Sequence, residues 1–244
     1  MSRKAVLVEA SKIAGADDLP GARADVVNLR EWLTLNQGGA WEDEEIVVLR
    51  NPSRARLWTE LEKARSVDYA FVAFSGHGHH VRTRQGEETY VCINDTEEFA
   101  AGDLYPGNLR ATVLVDACRG LTVRMFHEAL EARAKALKYA RSEERYRCRL
   151  RFDQAVAACD AGPVWLYSCR VNESAGDTPM GGVFTTSMIR TSRALIEAMA
   201  VVKVIDVAMS FNAAATATNR FMAQQHPEFV SPPRTDFYPF AVKA

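Results

Sequence analysis

The chain has 244 residues, 48% of them hydrophobic, enough to close one substantial core. A formal charge of −1 and a pI of about 6.5 carry no global bias toward nucleic acid or an anionic membrane as partner. No apolar run reaches the roughly 18 residues of a membrane span, and the start, MSRKAVLVEA, has too short an apolar stretch for a secretory leader. A cytoplasmic protein is expected.

In chain order, KAVLVEA (4–10) reads as a strand, and LPGARADVVNLREWLTLNQGG as a helix with apolar residues at Val26, Val27, Leu29, Leu33 and Leu35. EEIVVLR (44–50) is a second strand. Asn51-Pro52-Ser53 caps a helix through RARLWTELEKARS. VDYAFVAFSG (67–76) is apolar throughout, as expected of a parallel strand covered on both faces, and ATVLVDA (111–117) and GPVWLYSC (162–169) repeat the pattern. VFTTSMIRTSRALIEAMA and VIDVAMSFNAAATATNRFMAQ read as helices, and the tail HPEFVSPPRTDFYPF as an irregular surface segment.

Strands alternating with helices imply an α/β fold with a doubly wound, mostly parallel sheet. Such sheets place their sites beyond the carboxyl ends of the strands. SGHG (75–78) and DACRG (116–120) both fall there. Five cysteines, at 92, 118, 148, 159 and 169, include no CxxC pair, so reduced thiols are expected.

A cysteine becomes a nucleophile when it is accessible and an imidazole can take its proton. Cys118 and His77 each follow an apolar strand, and neighbouring strands would bring them to one edge. Gly76 and Gly78 flank His77, which leaves the Gly78 amide open to a developing oxyanion.

SGHG and DACRG resemble the two catalytic motifs of the caspase-like cysteine peptidases, the clan of caspases, metacaspases and bacterial relatives. Asp116, where caspases carry glutamine, is the metacaspase-like form. LPGARADVVNLREWL is similar to the family's first loop and helix, and GGVFTTSMI (181–189) to the segment after its fifth strand. The resemblance implies a caspase-like three-layer sandwich. It implies one peptidase domain over residues 1–244: a large-subunit-like part (1–131), a basic linker or helix (132–160) and a small-subunit-like part (161–244). It further implies that Cys118 attacks a peptide carbonyl, that His77 moves protons, and that the amides of Gly78 and Cys118 hold the oxyanion.

By the metacaspase-like pattern, Asp25, Ser75 and Asp116 line a pocket for arginine or lysine, with Asp177 and Glu173 as further contributors. Arg119 and Arg170 are counterweights that would suit an acidic substrate, so an aspartate-selecting peptidase stays open. So does a non-catalytic interaction module of the same fold. EARAKALKYARSEERYRCRLR (131–151) carries eight basic residues against three glutamates, and its alanines, leucines and alternating charge suit a solvated helix. Lying where caspases are cut, it suggests a zymogen processed, by itself or by an activating protease, near Arg133, Arg141, Arg145, Arg147, Arg149 and Arg151.

Protein or peptide substrates are expected, and no membrane or nucleic-acid partner. His79 and His80 beside His77, with Cys92 nearby, invite a zinc site, but the His-x-His-His spacing offers no standard second ligand pair, so no metal is expected. The acidic loop Asp95, Glu97, Glu98 and Asp103 leaves a calcium dependence open, with solvated carboxylates as the plainer reading.

Overall fold

The computed structural model describes residues 1–83, 86–120 and 143–244. The first half runs β1 (Arg3–Ala10), α1 (Pro20–Thr34), β2 (Ile46–Arg50), α2 (Arg54–Arg65), β3 (Tyr69–Gly76), β4 (Gly78–Thr83), β5 (Gly86–Cys92), β6 (Glu98–Ala100) and β7 (Arg110–Asp116). The second runs α3 (Glu143–Ala158), β8 (Gly162–Tyr167), β9 (Asp177–Thr178), β10 (Gly181–Gly182), α4 (Val183–Ala198), β11 (Val204–Asp206), α5 (Val207–Phe221), β12 (Glu228–Val230) and β13 (Pro239–Val242). Local chemistry sets several ends. Pro20 opens α1, where its missing N–H costs nothing, and the Ser53 hydroxyl accepts the Arg56 amide at the start of α2.

The main sheet has six strands in the order β12-β8-β7-β3-β1-β2. All neighbours are parallel except β12, which runs antiparallel to β8. The central strands read as continuously apolar because alternate side chains enter two separate cores. Ala5, Leu7, Phe71, Ala73 and Leu114 pack with α1, α3, α4 and α5. Val6, Val8, Val72, Phe74, Val113 and Val115 pack with α2 and with Val91 and Phe99 of a small antiparallel sheet, β4-β5-β6. The sheet is thus the middle of three layers.

Two expectations change. The tail is not irregular throughout: β12 extends the main sheet and β13 pairs with β11, with Tyr238 and Phe240 fully buried. Those rings pack on Tyr69 and Trp32 at centroid distances of 5.2 and 5.9 Å, and this apolar contact outweighs the segment's proline content. The stretch from 204 is likewise a short strand before it is a helix. Asp206 marks the change, accepting the Met209 amide at 2.7 Å as the cap of α5.

The basic stretch also divides. Residues 121–142, with Arg133 and Arg141, lie outside the described residues. Arg145, Arg147, Arg149 and Arg151 are on α3, so this part of the stretch is helix. Arg145 donates to the carbonyls of Thr34 and Trp41 at 2.6 and 2.7 Å, and Arg149 pairs with Glu45. Phe152 of the same helix packs edge-on against Trp41 at 5.9 Å. Helix, buried guanidinium and aromatic contact bury one face of this segment and hold it as helix, not as the extended peptide that a protease reads. Phe152→Ala should therefore lower the unfolding free energy by about 3–5 kcal/mol, measured by urea denaturation; a loss below about 1 kcal/mol would contradict the docking of α3.

Candidate active site

Strands β3 and β7 are parallel neighbours, with Ser75 opposite Asp116. Two residues further along each chain come His77 and Cys118, so the register delivers both to one level of the same sheet edge. The backbones stay close there. A Cβ added to Gly78 would lie 2.9 Å from the Cys118 carbonyl oxygen and 3.0 Å from the Ala117 Cβ, so only glycine fits. The His77 carbonyl accepts the Cys92 amide at 3.0 Å, which anchors the turn into the small sheet.

The His77 ring has a defined tautomer. Its Nε2 is 2.9 Å from the carbonyl oxygen of Asp17, in the loop between β1 and α1. A carbonyl can only accept, so Nε2 carries the hydrogen and Nδ1 keeps a lone pair. Burial pushes the imidazole pKa below its usual 6.5, against the Asp17 carbonyl and the Asp17 and Asp18 charges, and the ring is neutral at pH 7. Cys118 is half-buried; its Sγ accepts the Ala175 amide at 3.4 Å and lies 3.8 Å from the Ala175 carbonyl oxygen. Burial raises the thiol pKa, and the charges of Asp116 and Asp177 raise it further. The resting state is therefore a neutral thiol and a neutral imidazole, with the 174–175 segment against the sulfur.

Beneath this edge the expected pocket residues converge. Ser75 and Asp116 project to the helix-rich side of the sheet, on the same parity as Ala73 and Leu114. Asp25, on α1, is fully buried; it accepts the Ser75 hydroxyl at 2.6 Å and the Gly182 amide at 2.9 Å. Asp116 accepts the Thr185 hydroxyl at 2.7 Å and the Thr185 amide at 3.1 Å. The two carboxylates meet over Gly182, where an added Cβ would lie 2.4 Å from one Asp116 oxygen and 2.9 Å from one of Asp25. Burial raises both pKa values, Asp25 well above the carboxylate range, with Asp116 and then Asp177 adding repulsion. Among the described residues no cation figures in the balance of either group. Asp177 accepts the Gly21 amide at 3.2 Å, beside the start of α1.

Other candidates turn elsewhere. Glu173 pairs with His226 at 2.8 Å and accepts the Arg170 amide, and the Arg170 residue is exposed. Arg119, 7% exposed, points away from the thiol; it stacks over Tyr167 at 4.2 Å, donates to the Cys169 carbonyl at 3.2 Å and pairs with Glu228. Asp95 and Glu97 hold local structure, accepting the amides of Ala14 and Arg54 at 2.7 and 3.1 Å. Sequence reasoning missed the Asp17 carbonyl, Gly182 and Thr185. A backbone carbonyl leaves no trace in side-chain chemistry, whereas Gly182 and Thr185 stand inside the GGVFTT segment, whose contact with Asp116 only the fold shows.

A family model described as the caspase domain matches residues 2–238. A crystal structure of a Geobacter sulfurreducens protein superposes with a TM-score of 0.60 at 17% identity, over 100% of each chain. Caspase-1 from Spodoptera frugiperda superposes with a TM-score of 0.56 at 13% identity, over 94% of this chain and 86% of that one. At such identities the likeness concerns the fold. No curated protein matches in sequence. With its length matched almost end to end, the chain belongs to the caspase domain family of cysteine peptidases.

Proposed function

We propose that the chain is a cysteine endopeptidase that cuts after arginine or lysine, with Cys118 as nucleophile and His77 as proton carrier. The observation that carries the specificity is the acid pair itself. Among the described residues, two buried carboxylates, Asp25 and Asp116, have hydrogen-bond donors and no cation among the main influences on their charge. A substrate guanidinium supplies the missing charge and bidentate donors. Arg119 is committed to Tyr167 and Glu228 and is not free to hold an acidic side chain, which disfavours aspartate selection.

In the proposed reaction the Nδ1 lone pair of His77 takes the thiol proton as sulfur adds to the peptide carbonyl carbon. The amides of Gly78 and Cys118 hold the oxyanion. The intermediate collapses, the C–N bond breaks and His77 returns the proton to the leaving amine. Water, deprotonated by His77, then adds to the thioester; the C–S bond breaks and the thiol is restored. The Asp17 carbonyl keeps Nε2 protonated throughout, so no acidic third member is needed.

A division into large-subunit-like and small-subunit-like parts, with activation by cleavage between them, also belongs to this proposal. Because Arg145 to Arg151 are folded into α3, the cutting window narrows to the stretch holding Arg133 and Arg141. Mass spectrometry of protein incubated with trace active enzyme should find cuts at those two positions; cuts confined to α3 would contradict the window.

Wild type should hydrolyse arginyl and lysyl fluorogenic peptides and spare aspartyl ones, and Cys118→Ala should abolish the activity. No turnover of any of these peptides by wild type would instead leave a non-catalytic interaction module. Asp116→Asn should cost about 2–4 kcal/mol of transition-state binding for arginyl peptides, roughly 30- to 1,000-fold in kcat/KM. Because His77 must be neutral to act and its pKa is lowered, the acid limb of kcat/KM should fall below the ordinary imidazole value; a limb above it would exclude His77 as the base.

The acid pair also sets a stability trend. A carboxyl pKa raised in the folded state means that the native protein holds more protons than the unfolded chain between the two values. Stability should then fall as pH rises from about 4 through that window. Thermal melts of wild type should show this decline, and Asp25→Asn, which cannot ionise, should flatten it; identical pH profiles would refute the coupling.

A further inference from the structure

The small sheet β4-β5-β6 gathers one metal-ligating side chain from each strand. His79 on β4 stands opposite Tyr90 on β5. Cys92 lies two residues beyond Tyr90 and so shares its face. Glu98 on β6 stands directly opposite Cys92. The strand register alone therefore puts His79, Cys92 and Glu98 on one face of the sheet, as direct or diagonal neighbours.

The side chains follow. A nitrogen of His79, the sulfur of Cys92 and a carboxylate oxygen of Glu98 all lie within 4.8 Å of one another. His79 Nε2 and Glu98 Oε2 are 3.7 Å apart. A tetrahedral zinc ion with bonds of about 2.1 Å has ligand-to-ligand edges of about 3.4 Å, so small side-chain adjustments close the set. The Tyr90 ring, stacked on His79 at 5.9 Å with 18° between planes, limits the swing of the imidazole.

We propose that His79, Cys92 and Glu98 form a zinc-binding site, distinct from the thiol and imidazole at the main sheet's edge. One nitrogen, one sulfur and one carboxylate oxygen suit borderline-soft Zn²⁺, whereas calcium and magnesium favour all-oxygen sets. Three protein ligands leave the fourth position to water. Cys92 gives up its proton on binding, so uptake strengthens as pH rises. The ion would tie the strand beginning at Gly78 to the two strands beyond it. Cys92 also connects the site to the candidate active site, because its amide donates to the His77 carbonyl.

The test uses the full chain carrying Cys118→Ala, which removes the other thiol beside an imidazole. Calorimetric titration with Zn²⁺ should give one equivalent bound and a raised melting temperature. Co²⁺ in its place should show a thiolate-to-cobalt charge-transfer band. In the same background Cys92→Ser should abolish the band, and Cys92→Ser, His79→Ala or the exposed-site change Glu98→Gln should each weaken zinc at least tenfold. Glu98→Gln keeps the test decisive where a more buried replacement fails to fold. No uptake, or uptake that these substitutions leave unchanged, overturns the site. The readout needs no peptidase activity, so it stands or falls apart from the proposed reaction.

Discussion

The constraint on which the site depends is the in-register parallel pairing of β3 and β7. Ser75 opposite Asp116 fixes which side chains share a face and which residues leave the sheet together. Each strand is apolar on both sides, because one parity feeds the core under α1, α3, α4 and α5 and the other feeds the core under α2. A slip by one residue would exchange those two sets and send a carboxylate into the wrong layer. The same burial that specifies the register thus aims Ser75 and Asp116 at Asp25, and His77 and Cys118 at the edge above them.

The chemistry of the edge follows from scarcity of charge compensation. Thiol and imidazole are both held neutral by burial, and among the described residues no cation ranks with the main influences on the acid pair. Such an arrangement is unfavourable for the resting protein: buried carboxyl groups with raised pKa values lower stability at neutral pH. Its persistence under donors from Ser75, Gly182 and Thr185 fits a pocket completed by a ligand rather than a structural ion pair. Two buried arginines are committed to other parts of the fold. Arg119 holds β8 and β12 together through Tyr167 and Glu228, and Arg145 satisfies the carbonyls of Thr34 and Trp41.

Much of this was legible from residue order. The apolar strands, the Ser53 cap, and the placement of His77 and Cys118 at strand ends follow from hydrophobic runs and punctuating glycines. The small sheet was not legible, because β4 and β5 carry Arg82, Glu87 and Glu88, which read as loop; their pairing rests on backbone bonds and on a buried row with Val91 and Phe99. The tail misled for a similar reason. Its prolines suggested irregular chain, while Tyr238 and Phe240 were anchors whose partners, Tyr69 and Trp32, lie far away in sequence. Arg145 looked solvated because helical charge patterning does not reveal which carbonyls another element leaves open. The closeness of Glu98 to His79 and Cys92 is likewise a property of strand pairing, not of spacing.

Covalent trapping tests the central claim most directly. Treatment with a peptidyl chloromethyl ketone ending in arginine, followed by digestion and mass spectrometry, should place a single adduct on Cys118, lost in His77→Ala and far slower with the aspartyl analogue. Labelling spread over the other cysteines, or equal rates for the two ketones, would contradict the account.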